Sequence, residues 1–285
     1  MTGFKKRLAS TALATAMTLT ALPVSVFLIS TDAEAGVPNG FAYTQGTRFM
    51  LDGSPFYYAG TNCYYLTFKS QEAVDSVFKD AEAMGLKVIR VWGNLDVGVK
   101  TGTTDSEGKP VFTNNNDGPG EKDGIYFQYF DKDLGKPVIN EGKDGLQKLD
   151  YALYQAEKHG IKLLITFTNY WDAFGGMGQY VKWAQELGIS GLKKDDFYTN
   201  ETLKGWYKDY VNGLLNHTNP YTGRKLKDEP SVFAWELANE PRCNTDAQCK
   251  DNILYNWAKE MSEYVKSVDP NHMVALGDEG FYNKP

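Results

Sequence analysis

Val232-Phe233-Ala234-Trp235-Glu236-Leu237-Ala238-Asn239-Glu240-Pro241 is an apolar run that closes on a carboxylate. Val232 to Trp235 reads as a parallel strand covered on both faces, because nothing polar interrupts it. Proline has no backbone donor, so Pro241 ends the hydrogen-bond ladder there. Glu240 therefore stands at the carboxyl end of a buried strand. In eight-stranded α/β barrels that end is where the chemistry sits, and Glu240 occupies the place of a general acid. The plainer alternative is an ordinary strand end carrying a solvated glutamate.

Outward from this stretch the chain alternates strand and helix. The patterning predicts strands at 56–62, 88–92, 162–168, 231–237 and 273–276. Helical spacing predicts helices at 71–84, 146–159, 178–187, 202–215 and 253–268. Gly85 and Gly160 follow two of these helices as C-caps, and the last stops before Pro270. Residues 40–55 read as an extended lead-in with a turn at Asp52-Gly53. The Gly-, Asp-, Asn- and Thr-rich stretch 93–145 reads as one long functional loop. Strands alternating with helices imply parallel βαβ units. No Gly-x-Gly-x-x-Gly follows a strand, which counts against a doubly wound sheet. Polar or aromatic residues close each strand instead: Asn62, Trp92, Asn169, Asn239 with Glu240, and Asp278 with Glu279. The expected fold class is α/β, a (β/α)8 barrel of which this chain supplies about the first five units.

Residues 1–35 read as an export signal. Lys5, Lys6 and Arg7 start it, a weakly apolar run follows, and Ala33-Glu34-Ala35 offers a small-x-small cleavage site. Residues 36–285 are then a partial catalytic barrel domain, exported and expected to be monomeric. The signal carries three basic and two acidic residues, so its loss takes the formal charge from −6 to −7. A nucleic acid or anionic membrane partner would need a basic face, and the charge balance argues against both. The three histidines, His159, His217 and His272, are scattered without metal-ligand spacing. Asn114 to Gly118 hints at a calcium loop, but Thr113 and Gly124 stand where its first and twelfth ligands belong. No metal or cofactor is expected. Cys243 and Cys249 lie six apart in a polar segment and suit a local disulfide, while Cys63 reads as a buried free thiol.

With the strand ends placed, the chain resembles the endo-β-1,4-mannanases of glycoside hydrolase family 5. The carriers occur in barrel order: GTNCYYL at 60–66, RVWG at 90–93, TNYWDAFGG at 168–176, WELANEPRC at 235–243 and GDEGFY at 277–282. The resemblance implies that Glu240 is the acid/base and that Asn239 contacts the sugar 2-hydroxyl. It implies that Arg90 supports the active-site carboxylates, with an ion pair to Glu236 as the structural alternative. It implies that Trp92, Asn169, Trp171 and Glu279 line a cleft for β-mannan, and that Cys243 and Cys249 are bridged. The Gly175-Gly176 pair would let its loop approach a sugar closely.

A retaining glycosidase needs two carboxyl groups about 5–5.5 Å apart, one protonated and one ionised. A neighbouring carboxylate and partial burial would raise Glu240 toward neutral pH. In the resembled family the nucleophile closes the seventh strand, which places it beyond Pro285. Glu279 belongs to a fifth-strand motif and is not that nucleophile. Open barrel edges would leave this chain poorly soluble or partly molten, and inactive. Two alternatives stand beside the mannanase reading: a β-1,4-glucanase of the same family, and a non-hydrolytic carbohydrate-binding barrel.

Overall fold

The computed structural model describes residues 37–116, 122–243, 250 and 252–280. The expected export signal, Cys249 and the last two residues of GDEGFY lie outside these. Five parallel strands form one sheet: β1 (Gly60–Asn62), β2 (Val88–Trp92), β3 (Lys162–Thr166), β4 (Val232–Glu236) and β5 (Met273–Ala275). Their order in space is their order in sequence. β3 pairs along its whole length with β2, from Lys162 opposite Val88 to Thr166 opposite Trp92. A doubly wound sheet reverses direction at a switch point, whereas a barrel advances one neighbour at a time. This sheet advances.

Five helices accompany the strands: α1 (Gln71–Ala83), α2 (Gln147–Lys158), α3 (Gly176–Glu186), α4 (Glu201–Asn216) and α5 (Ile253–Val268). Ser70 caps α1 through the Ala73 amide, and Asn200 caps α4 through the Thr202 and Leu203 amides. Gly85 and Gly160 take positive φ just past α1 and α2, where a side chain would be strained. Among the described residues no helix is long and apolar enough to cross a membrane.

Burial grades across the sheet. All five residues of β4 are buried, and the alternating sides of β2 and β3 are nearly so. Trp235 is fully buried with its ring stacked on Phe167 at 5.3 Å. A buried indole N–H needs an acceptor. Trp235 donates to Asp269 at 2.6 Å, and Asp269 also holds the buried His272 at 2.7 Å. The edges differ: β1 is exposed at all three residues and β5 is only half-buried. Tyr57, just before β1, is 79% exposed.

Two expectations change. The stretch 93–145 is not one loop. It holds a four-stranded sheet of Asp96–Thr104, Pro110–Thr113, Gln128–Asp131 and Lys136–Ile139. Its first strand reads as a loop because Gly98, Gly102 and three threonines replace apolar alternation. Gly98 is required there, since a Cβ would sit 1.9 Å from the Thr113 carbonyl. The strand expected at 56–62 begins only at Gly60. The lead-in is a three-stranded antiparallel sheet, and its turn falls at Asp52 and Gly53, both at positive φ.

Candidate functional site

The site grows from the carboxyl ends of β2, β3 and β4. Beyond their ladder, β3 and β4 stay together through a parallel bridge between Asn169 and Asn239. The Asn239 amide donates to Asn169 Oδ1 at 2.8 Å. Asn169 Oδ1 also accepts the Trp171 backbone N–H at 3.2 Å, and its own amide donates to the Ala173 carbonyl at 2.9 Å. These bonds fix the two asparagines and the start of the loop after β3.

Arg90, on β2, reaches across to β4. Its Nε lies 3.2 and 3.1 Å from the two Glu236 oxygens, and Nη2 closes on Oε1. Nη2 also donates to Asn239 Oδ1 at 2.8 Å. Thr166 Oγ1 donates to Glu236 Oε1 at 2.7 Å. The Arg90 partner is thus Glu236, whose side chain is only 5% exposed, and the same guanidinium orients Asn239. Trp92 is 7% exposed and lies under Arg90, ring to guanidinium at 4.8 Å. In this structure its ring supports the arginine and packs edge-on to Phe174.

Glu240 follows at the tip of β4. Its φ is +48°, in the left-handed region that side chains avoid. Such a residue costs about 1–3 kcal/mol and persists where the surroundings dictate it, often at functional sites. Here the Glu240 N–H is held by the Gly277 carbonyl at 2.9 Å. Gly277 has φ +91°, and a Cβ on it would fall 2.0 Å from the Ala238 carbonyl. That contact needs glycine. The half-exposed Glu240 carboxylate accepts the Trp171 indole N–H at 2.6 Å.

Arg242 extends the network. Its guanidinium sits 5.1 Å above the Trp171 ring and binds both oxygens of Glu279. Its carbonyl accepts the Tyr198 hydroxyl at 2.7 Å. Arg90, Asn169, Trp171, Asn239 and Glu240 therefore share one connected set of contacts, and Glu279 joins it through Arg242. Sequence reasoning missed Arg242, although it follows Glu240 by two residues. Cys243 is described, but the expected bridge needs Cys249, which lies outside the described residues. Cys63 is free and buried, and burial pushes its thiol up, against weaker lowering by hydrogen bonds with Tyr65 and Leu66. Among the described residues no group of three or more His, Cys, Asp or Glu is placed to hold a metal.

The loop after β3 is locked from below. Phe174, Gly175 and Gly176 are successively at positive φ. A Cβ on Gly175 would lie 2.3 Å from the Asp96 carbonyl, and one on Gly176 2.2 Å from the Asn169 carbonyl. The glycine pair thus permits close approach of protein backbone, where a sugar was expected. Asp96 is buried beneath this loop. Its carboxyl accepts Gln128 Nε2 at 2.8 Å, the Gly176 N–H at 3.2 Å and Asn94 Nδ2 at 3.4 Å. Burial without a cation pushes its pKa up to about 7, although these hydrogen bonds pull the other way.

That shift predicts a pH effect. The folded protein holds the Asp96 proton up to about pH 7, and the unfolded chain releases it near the ordinary aspartate value of 3.8. The folded state binds more protons between those limits, so stability falls as pH rises from about 4 to 7 and is level above. Asp96→Asn should flatten that slope, by up to about 4 kcal/mol at ~1.4 kcal/mol per unit. Urea midpoints at pH 5 and pH 8 measure it. Equal pH slopes for the two proteins would refute the assignment.

Chemically, the arrangement offers one accessible carboxyl group on a rigid strand end, flanked by an indole and two amides. Glu236 is committed to Arg90, and Glu279 to Arg242. A family model described as GH family 5 beta-mannosidase-like matches residues 39–284. A "Probable mannan endo-1,4-beta-mannosidase F" of Aspergillus oryzae is 43% identical over 241 residues, 84% of this chain and 44% of the relative. The Aspergillus clavatus mannan endo-1,4-beta-mannosidase F is 41% identical over 84% of this chain and 47% of its own. Among solved structures, the endo-1,4-beta-mannanase from Rhizomucor miehei superposes with a TM-score of 0.72 at 40% identity. That match covers 86% of this chain and 62% of the Rhizomucor chain. The chain spans about half the length of the curated relatives it matches.

Proposed function

The chain belongs to the β-mannosidase-like group of glycoside hydrolase family 5, and from that premise we propose that it carries the acid/base half of a retaining endo-β-1,4-mannanase. One observation supports this most. Glu240 is held in a strained left-handed conformation at a strand end, with its carboxylate on the Trp171 indole. In this reading Glu240 protonates the departing glycosidic oxygen, then takes a proton from the attacking water. Asn239, oriented by Arg90 and Asn169, meets the 2-hydroxyl. Asn169, Trp171 and Glu279 border the cleft, and Trp92 backs Arg90.

The five strands are read as the first five of an eight-stranded barrel. The exposure of β1 and the half-exposure of β5 favour this, since both would be covered by closure. The nucleophile is placed on a later strand of that barrel, outside this sequence. Among the described residues, Glu236 and Glu279 are already taken by guanidinium groups, so this chain alone is expected not to turn over. Residues 1–35 are read as an export signal, which would put the substrate outside the cell. The names of the relatives favour mannan over β-1,4-glucan.

The test compares this chain with a version completed by its own family's remaining strands, on galactomannan and on β-glucan. The completed protein should release reducing ends from mannan with retention at the anomeric carbon, read by NMR. The shorter chain should release none. Inversion, or cleavage of glucan in preference to mannan, would overturn the reading.

A further inference from the structure

We propose that a hollow between the first turns of α1 and α2 binds an acid-bearing sugar, a uronate residue of a polysaccharide. The hollow measures about 340 Å³ and shares no residue with the Glu240 network. Lys69, Lys143 and Lys148 line it, together with Gln71, Gln147 and Tyr221. None of the residues lining it is acidic. In a chain of net charge −6, three ammonium groups around one cavity are a local reversal of sign.

The charges are available. Lys143 has no carboxylate partner among the described residues. Lys148 Nζ makes one hydrogen bond among them, to the Lys69 carbonyl at 3.4 Å, and no ion pair within 4 Å. Lys69 pairs with Asp123 at 2.8 Å, but both side chains are more than two-fifths exposed, and such pairs exchange readily for another anion. Of the nearby acids, Asp75 is occupied by the Tyr151 hydroxyl at 2.6 Å, and Glu72, fully exposed in the first turn of α1, feels the Lys148 charge.

The cavity also has a sugar-shaped wall. Tyr221 is 41% exposed and rests on Tyr154, rings 5.6 Å apart and 21° from parallel. Asn219 Oδ1 fixes its backbone at 2.9 Å, and Gln71 donates to its hydroxyl at 3.3 Å. Tyr151 packs edge-on against the Tyr221 ring at 5.4 Å, so the phenol is held rigid, and its exposed part suits the apolar side of a pyranose. The Gln71 and Gln147 amides can exchange bonds with ring hydroxyls. The ammoniums then meet the carboxylate as separate point charges, which selects charge more than shape. A bare phosphate would use the lysines and leave the tyrosine idle. That difference favours the sugar acid. The site would grip a charged branch of a polymer away from the place of cleavage. It does not depend on which bond is cleaved.

Chemical-shift titrations of the whole protein with glucuronate, inorganic phosphate and mannose test this. Glucuronate should saturate in the millimolar range and weaken as salt is added. Mannose and phosphate should each bind about tenfold more weakly. Lys143→Gln with Lys148→Gln should weaken glucuronate about tenfold, as should Tyr221→Ala, with circular dichroism unchanged. Phosphate binding as tightly as glucuronate would reduce the site to an anion patch and overturn the proposal. So would mannose binding equally well, or glucuronate binding that ignores the lysine substitutions.

Discussion

Glu240→Gln, in the completed barrel, should lower turnover of β-1,4-mannan by roughly 10²–10⁴-fold, the range that a positioned proton donor supplies. The size of the loss should depend on the leaving group. An aryl mannoside with a very acidic phenol departs without protonation, so its first step should hardly slow. The glycosyl-enzyme then waits for a water that no base activates, and azide, which needs no base, should restore turnover and give a mannosyl azide. Glutamine keeps the size of the side chain and can still accept the Trp171 N–H found at 2.6 Å. The substitution therefore removes the proton and little else. An equal fall on mannan and on the activated aryl substrate, with no azide rescue, would falsify the acid/base role.

How much of this was legible in the sequence follows from the physics of each element. Val232 to Trp235 was legible because burial on both faces permits only apolar residues, and Pro241 marks where the ladder must stop. The helices were legible to within one or two residues because their caps are local: Ser70, Asn200, Gly85 and Gly160 act within one turn of themselves. The sheet inside 93–145 was not. Its strands are held by partners far along the chain, and Gly98 is there to admit the Thr113 carbonyl, a contact no local pattern announces. The same holds at the site. Glu240 and Asn239 were readable from their strand end. Arg242 was not, since its value lies in meeting Trp171 and Glu279, which come from two other segments of the chain. Asp96 was hidden for a related reason: its role under the Gly175-Gly176 turn depends on three separate segments converging.

The largest stability effect is expected at Arg90, and it separates support of the fold from support of the site. Glu236 is buried, and its charge is balanced by the Arg90 guanidinium with help from Thr166. Arg90→Ala would leave that carboxylate uncompensated, which costs about 3–5 kcal/mol. Arg90→Lys should cost less but not be neutral. A lysine is a single point charge and cannot hold Glu236 and Asn239 at once, as the planar fork does. Replacing both partners, Arg90→Met with Glu236→Leu, removes the unpaired charge and should recover most of the lost stability. It would not recover the site, because Asn239 Oδ1 then loses its donor while Asn169 keeps only one side of it. Denaturant unfolding of the three variants measures the first part, and binding of mannooligosaccharides by the completed barrel measures the second. A double variant that is both stable and fully able to bind would make Arg90 a packing residue only. A stable double variant with weakened binding would show that the buried pair is kept for the asparagine it aims.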